Sequence, residues 1–396
     1  MSVFAGKHIL IIIENLPAPF DRRVWQEAMT LNEEGADVSI ICPKMKGFTK
    51  SFERIQGIDI YRHYLPEEGS GPLGYLREYT VALFFECFLA WRIFFKKKFQ
   101  VIQGCNPPDL IFLVALLFKP FGVKYVFDHH DINPELYVAK YNKKGIFYSL
   151  MIFLERWTFK IADYSIATNQ SYKEIAIKRG LMNPEKIQIV RSGPSLDRLK
   201  LQDPILKYKN GKSFLVGYLG VIGPQEGIDL LLKAIQILSK KRDDFSVAII
   251  GSGTSLSQLK ELTKRLGLEN IVAFYGRVSD QILLDILNTS DICVNPDIPT
   301  EMNNLSTMNK IMEYMALKKP IIQFDLKEGR FSAQDASLYV KDGNVDDFAD
   351  KISQLMDDPK RREKMGLFGF NRVQNELSWK FERKKLIQAY SNVLAV

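Results

Sequence analysis

"SFLVGYLGVIGPQEGIDLLLKAIQILSKKRDDFSVAIIGSG", residues 213 to 253, sets three patterns end to end. An apolar run rich in Val and Leu stops at a glycine, "EGIDLLLKAIQILSKK" follows with helical periodicity, and a second apolar run stops at the turn "GSG". Strand, helix, strand in that order predicts a parallel pair joined by a crossover, and a parallel sheet needs cover on both faces. The rhythm continues downstream. "NIVAFYG", "DICVNP" and "KPIIQFD" are strand-like, and "LSQLKELTKRLG", "SDQILLDILN" and "STMNKIMEYMAL" are helical between them. Upstream, "HILIII" (8 to 13), "DVSIIC" (37 to 42), "FQVIQG" (99 to 104), "KYVFD" (124 to 128), "DYSIAT" (163 to 168) and "IQIVRS" (187 to 192) repeat it. In "DRRVWQEAMTLNEEG", Val24, Ala28 and Leu31 share one stripe and Gly35 ends the helix. The weakly patterned stretch 195 to 213 reads as a linker. The expectation is therefore an α/β chain of two doubly wound parallel-sheet domains, with ligands at the carboxyl ends of the strands, in the cleft between the domains.

Composition narrows the function. The 396 residues, 46% hydrophobic and 25% charged, suit two domains. The formal charge of +8 is concentrated in the first half and fits phosphate-bearing substrates or anionic lipid, though charge alone does not choose among anions. Cys42, Cys87, Cys105 and Cys293 are scattered, without metal-ligand spacing, which argues against a disulfide framework or a zinc site and for a cytoplasmic setting. The opening "MSVFAGKHILIIIENLP" is too short in its apolar part for a signal peptide. "GYLG" and "IIGSG" are glycine turns that do not complete GxGxxG, which weakens a nicotinamide reading.

Two clusters carry chemistry. "FDHHDINPELY" (127 to 137) sets His129 and His130 between acids where a strand should end; there an imidazole can donate to a sugar hydroxyl or a developing anion. A histidine bonding only backbone is the plainer alternative. In "STMNKIMEYMALKKPI", Ser306 and Thr307 are placed to cap a helix whose freed amides favour phosphate, with Lys310 and Glu313 one turn apart on one face. An ordinary capped helix is again the plainer alternative.

"FDRRVWQEA", "NPPDL", "FDHHDINPELY", "ERWTFKIADYSIATN", "VRSGP", "YLGVIGPQEGIDLLLKAI", "IIGSG" and "STMNKIMEYMALKKPII" occur in the order seen in retaining, nucleotide-sugar-dependent glycosyltransferases of family 4. The chain resembles that family over nearly its whole length. The resemblance implies the GT-B fold, two Rossmann-like domains facing a cleft: an acceptor domain over 1 to 204, a nucleotide-sugar domain over 205 to 377, and a closing helix over 378 to 396 that crosses back onto the first. His130 and Asp131 match the family's catalytic "HD", leaving His129 a structural role. Glu313 matches the second acid of E-x7-E, the one that binds ribose. Leu305 stands where the first acid belongs, so Asp297, Glu301 or amides near Ser306 must substitute for it. Gly220, Gln225, Ser306 and Thr307 fall at donor-binding positions, and Asn15, Arg22 and Arg23 on the acceptor and phosphate side.

Val221 and Glu226 stand where the family carries an arginine and a lysine for the diphosphate, and a glutamate there, unpaired, would repel the donor. Arg191 and Lys310, with Arg22 and Arg23, are then expected to supply the missing cations. The resemblance further implies a UDP- or GDP-sugar donor, no metal, and a lipid-linked or oligosaccharide acceptor of the kind used in bacterial surface-polysaccharide synthesis. Nucleic acid is not an expected partner. "YLREYTVALFFECFLAWRIFFKKKF" (75 to 99), broken by Arg77, Glu78, Glu86 and Arg92, is no transmembrane span. It is either a core helix or an interfacial one on the inner face of an anionic membrane. A sugar-nucleotide epimerase and a noncatalytic nucleotide-binding partner are the competing functions.

Overall fold

The computed structural model describes residues 3–66, 72–341 and 343–395. The chain divides into two compact units, Met1–Ser192 with Glu382–Val396, and Gly193–Phe381.

The first unit is built on eight strands: β1 His8–Ile13, β2 Asp37–Pro43, β3 Phe52–Ile55, β4 Ile58–His63, β5 Val101–Cys105, β6 Lys124–His129, β7 Tyr164–Ala167 and β8 Ile187–Ile189, in the order β3-β4-β2-β1-β5-β6-β7-β8. All neighbours are parallel except β3 and β4. β1 and β5 are buried at every residue, as strands covered on both faces must be. Strand order reverses between β1 and β5, so loops leave that point in opposite directions and a ligand can enter beside them. Helix Arg22–Glu33 begins where Asp21 Oδ1 accepts from Val24 N at 2.9 Å. It buries Val24, Ala28 and Leu31, and Gly35 turns away at φ +93°. Helix Trp379–Leu394 joins this unit from Glu382 onward. Glu382 Oε2 accepts from Arg191 N at 2.9 Å, Tyr390 donates its hydroxyl to Gln103 Oε1, and Arg383 pairs with Glu33 and Glu34.

The second unit holds β9 Phe214–Leu219, β10 Phe245–Ile250, β11 Val272–Gly276, β12 Ile292–Asn295, β13 Ile321–Phe324 and β14 Ser337–Val340 in one parallel sheet, order β11-β10-β9-β12-β13-β14. This is the doubly wound order, reversing between β9 and β12. Val216, Ile235, Leu238, Val247 and Ile249 fill the layer between this sheet and helix Ile228–Ser239. Two glycines let the strand-end loops close up. A Cβ on Gly227, at φ +63°, would lie 1.9 Å from the Pro296 carbonyl oxygen, and one on Gly251, at φ +142°, 1.8 Å from that of Gly220.

Three elements depart from the sequence reading. The stretch 195 to 213 is no free linker: Leu199 sits in a core with Leu215, Ile286 and Leu287, and the amides of Gln202 and Ile205 donate to Asn288 Oδ1 and Thr289 Oγ1. The division therefore falls at Ser192/Gly193, not near 204. The hairpin β3–β4 and the short edge strand β14 carry too little apolar periodicity to announce themselves. The hairpin's signal is Gln56-Gly57, both at positive φ, as a two-residue turn between twisted strands requires. Among the described residues no helix is long and apolar enough to cross a membrane.

Candidate functional site

At the carboxyl end of β6, alternation decides which histidine does what. His129 points into the core, with ring centroids 5.3 Å from Phe127, 5.3 Å from Phe159 and 4.9 Å from Tyr172. Burial, reinforced by Arg179, pulls its imidazole down to about 3, so it is neutral near pH 7. His130 turns the other way and keeps a partly open edge. Its Nε2 donates to Asp128 Oδ2 at 2.5 Å, which leaves Nδ1 for a ligand. Asn106, which the sequence reading passed over inside "NPPDL", fixes the backbone here. Its Oδ1 accepts from His130 N at 2.7 Å and Asp131 N at 3.1 Å, and its Nδ2 donates to the Asp131 carbonyl at 2.7 Å. Burial pushes the Asp131 carboxyl above its ordinary value.

Asp128 is wholly buried and heavily used. It accepts from Arg23 Nη2 at 2.8 Å, Arg23 Nε at 3.3 Å and Gln103 Nε2 at 3.1 Å. Burial alone would raise its carboxyl, but Arg23 and His130 outweigh it and hold the group well below the usual range. Arg23 is thereby corrected. It is not a cation held ready for phosphate: it is buried, 3.0 Å from Glu27, and donates to the Val190 carbonyl at 2.8 Å and Ser192 Oγ at 3.3 Å. Arg22 beside it is exposed. Arg191 is buried in the same unit. Asn15 follows β1, and its Oδ1 is a buried acceptor with no hydrogen-bond partner among the described residues. Glu14 next to it is pushed up to about 10 by burial, with Glu86 and Glu78 adding to the rise. Ligand atoms of Cys105, Asp128 and His130 lie within 4.8 Å of one another. With Asp128 neutralised by Arg23 and the Cys105 thiol pushed well up by burial, this donor set does not suit a divalent cation.

The second unit gathers its candidate groups after β9 and β12. Lys310 Nζ lies 2.7 Å from Glu226 Oε2, 2.9 Å from Asp297 Oδ1 and 3.3 Å from the Tyr218 hydroxyl. Burial would lower the ammonium, but Asp297, Tyr218 and Glu226 raise it well above its usual value. Burial pushes Asp297 up to about 7 against the pull of Lys310, whereas Lys310 overcomes burial at Glu226 and lowers it. Two expectations change. Glu226 is not an unpaired repulsive charge, because Lys310 neutralises it; and Lys310 is not an uncommitted cation, because two carboxylates already hold it. Gly220 leaves space beside this cluster, since a Cβ there would meet the Tyr218 hydroxyl at 2.7 Å and Lys310 Nζ at 3.1 Å.

Neither Ser306 nor Thr307 stands at the N-cap of the following helix; Ser306 is the C-cap of the one before it. Thr300 caps the short helix Glu301–Leu305, which displaces the next start to Asn309–Ala316, with Met308 at its cap position giving no side-chain bond. Glu313, one turn beyond Lys310, is paired with Arg198, not with the cluster around Lys310. The backbone of Gln225 is anchored, its carbonyl accepting from Asn303 Nδ2 at 2.8 Å. Around the ends of β12 and β13 several buried polar atoms have no partner among the described residues: both amide atoms of Asn295, Asp297 Oδ2, Asn303 Oδ1 and Gln323 Oε1. Buried polar atoms are rarely left so unless a ligand or water completes them. Asn295, Asn303 and Gln323 had no motif to give them away; a polar residue at or near the end of an apolar strand run was the available signal for Asn295 and Gln323, and Asn303, on the short helix Glu301–Leu305, had none.

The family described as Glycosyltransferase Family 4 matches residues 21–198, and that described as Glycosyl transferases group 1 matches residues 206–372. The chain is 26% identical over 263 residues, 63% of its own length and 67% of the other's, to the capsular polysaccharide biosynthesis glycosyltransferase CapM of Staphylococcus aureus. Matches to other curated relatives cover between 38% of their length, for the alpha-D-kanosaminyltransferase of Streptomyces kanamyceticus, and 58%, for a D-inositol 3-phosphate glycosyltransferase of Kribbella flavida. Among solved structures, sucrose-phosphate synthase from Thermosynechococcus elongatus superposes with a TM-score of 0.80 at 17% identity, over 98% of this chain and 99% of that one. HepE from Anabaena, in complex with UDP-glucose, superposes at 0.71 and 15% identity, over 97% and 99%.

Proposed function

The chain belongs to the GT-B glycosyltransferases of the group 1 and family 4 type, and from that membership we propose a retaining transfer of a sugar from a UDP- or GDP-sugar to a lipid-linked saccharide acceptor. The retaining outcome rests on the family membership, and the state of Asp128 is the observation that selects its route. Asp128 is the carboxylate within hydrogen-bonding distance of His130, and Arg23 and Gln103 occupy its oxygens, so it is not a nucleophile for a double displacement. Retention then proceeds on one face of the sugar. The bond from the anomeric carbon to the diphosphate oxygen breaks, the acceptor oxygen bonds to that carbon, and the acceptor's proton passes to the leaving phosphate. His130, oriented by Asp128, accepts at Nδ1 from a hydroxyl of the donor sugar, and Asn295, Asn303 and Gln323 offer hydrogen bonds to a polar ligand in the second unit.

UDP as the nucleotude carrier is supported by the UDP-glucose complex of HepE, and a surface-polysaccharide acceptor by the likeness to CapM. The lipid-linked acceptor implies work at the cytoplasmic face of an anionic membrane. The reaction needs no metal in this reading. The test is incubation with UDP- and GDP-sugars and a prenyl-diphosphate-linked saccharide, followed by proton NMR of the product's anomeric centre. An inverted centre would refute retention. A second reading, a noncatalytic nucleotide-binding partner, is favoured by the clasp of Glu226 and Asp297 on Lys310. Nucleotide binding by calorimetry without release of nucleoside diphosphate would select it.

A further inference from the structure

We propose that the first unit carries a membrane-docking face made of three helices and centred on Ile146–Ile161, which seats in the headgroup region of an anionic bilayer. The proposal rests on the lipid-linked acceptor for its purpose, and it moves the contact from helix Pro72–Lys96 alone to a wider surface whose main element is a different helix.

Ile146, Leu150, Phe153 and Trp157 repeat at helical spacing on Ile146–Ile161, and all four are exposed, Ile146 at 87%. The opposite stripe, Glu155, Thr158 and Phe159, is the one that packs inward. The helix is thus inverted relative to a helix at a water surface, with its large apolar side chains outward. Helix Phe112–Phe118 packs against both Ile146–Ile161 and Pro72–Lys96, and turns Leu113, Leu116 and Leu117 out. On Pro72–Lys96, Phe84, Phe88 and Phe95 form one exposed stripe. Trp91 ties Pro72–Lys96 to Phe112–Phe118 and the turn after it, with ring centroids 4.6 Å from Phe118, 5.4 Å from Phe95 and 5.7 Å from the exposed Phe121. Apolar side chains standing out on three packed helices exceed what a water-facing surface ordinarily shows.

Charge selects the occupant. From residue 87 to 173 the acids are Asp109, Asp128, Asp131, Glu135, Glu155 and Asp163, and none is exposed. Over the same span Arg92, Lys96, Lys98, Lys143, Lys144 and Lys160 are exposed. Lys160 sits 4.5 Å from the Trp157 ring centroid, a cation beside an aromatic ring, as suits the boundary between headgroups and acyl chains. A protein partner would need matching acids; a bilayer of anionic lipids supplies them everywhere, and takes the apolar stripe as well. No helix among the described residues is long and apolar enough to cross, so the face lies on the bilayer and does not span it.

The test is flotation of the full chain with phosphatidylglycerol-containing vesicles and with phosphatidylcholine vesicles. The chain is expected to float with the anionic vesicles and to weaken with salt. Phe153→Asp with Trp157→Asp is expected to cut partitioning at least about tenfold. Lys143→Glu with Lys144→Glu, at exposed positions, is expected to cut it about tenfold on anionic vesicles and leave neutral ones unchanged. Wild-type chain that stays in solution with both vesicle types overturns the proposal. So does a doubly substituted chain that floats as wild type, or a wild-type dimer, seen in sedimentation velocity, that the Phe153 and Trp157 changes make monomeric without any effect of lipid. Transfer to a detergent-solubilised acceptor is measured alongside. Vesicle binding without any transfer keeps the face and removes the acceptor reading, while transfer without vesicle binding does the reverse.

Discussion

Asp128 shows how one carboxylate fixes two roles. It keeps Arg23 charged in a buried place, and it directs His130 through a 2.5 Å hydrogen bond. Asp128→Asn would strip the charge from the pair and leave Arg23 facing only Glu27, so the first unit should lose ~3 kcal/mol of stability. Turnover should fall about 100-fold, while nucleotide affinity holds. Denaturant titration and steady-state kinetics separate the two effects, and an unchanged kcat would remove His130 from the reacting centre. The opposite sign is expected at Glu226. Its carboxylate holds Lys310 by an ion pair of 2.7 Å, and Glu226→Gln should leave the ammonium to Asp297 alone, remove a negative charge from the site and tighten UDP binding by roughly tenfold in calorimetry. Weaker binding would mean that the pair itself shapes the site. The sequence shows which residue types are present but not whom they meet. "HHD" at a strand end was readable, and strand alternation separates His129 from His130. Arg23 was assigned to phosphate because Asp128, its partner, lies 105 residues away and nothing local points to it.

The end of β1 and helix Pro72–Lys96 share a different problem. Glu14 and Glu86 are buried on these two elements, and Glu86 has no hydrogen-bond partner on either oxygen among the described residues. Burial pushes Glu86 up to about 8 and, with Glu86 and Glu78 adding to it, Glu14 to about 10. In the folded state both bind protons more tightly than in the unfolded chain, so their contribution is complete below the ordinary glutamate range and is lost as pH rises through 8 and then 10. The melting temperature should therefore decline from pH 5 to pH 9, and Glu86→Gln should flatten that decline and raise the pH 9 value. Melting curves across that range check it, and an identical slope in both proteins would refute it. Elements themselves were forecast well where periodicity is strong. β1, β6 and helix Ile228–Ser239 fall nearly where apolar spacing puts them. The start of Asn309–Ala316 was misplaced because two capping signals compete within a few residues, and Thr300 closes off its own short helix first.

Taken whole, the chain spends its last helix on its first unit. Leu386, Ala389 and Tyr390 are buried there, Tyr390 meets Gln103 beside the Asp128 cluster, and Glu382 accepts from the amide of Arg191. A chain truncated after Phe381 loses all of these at once. Removing a buried Leu or a large aromatic side chain costs ~3 kcal/mol each, so the loss approaches the ~5–15 kcal/mol that holds a typical domain together. The second unit, Gly193–Phe381, keeps every residue of its own sheet and core. Calorimetry of the truncated chain should therefore show the transition of the second unit intact and that of the first lowered or missing. Hydrogen exchange should show β5 and β6 opened while β9 and β12 stay protected. If both units instead weaken together, their stabilities are linked, and the closing helix does more than complete the first sheet. The tandem doubly wound plan was readable from repeated strand and helix runs, but the division at Ser192/Gly193 was not. Leu199 and two backbone amides anchor a polar stretch to the second unit, and so few anchors leave almost no imprint on composition.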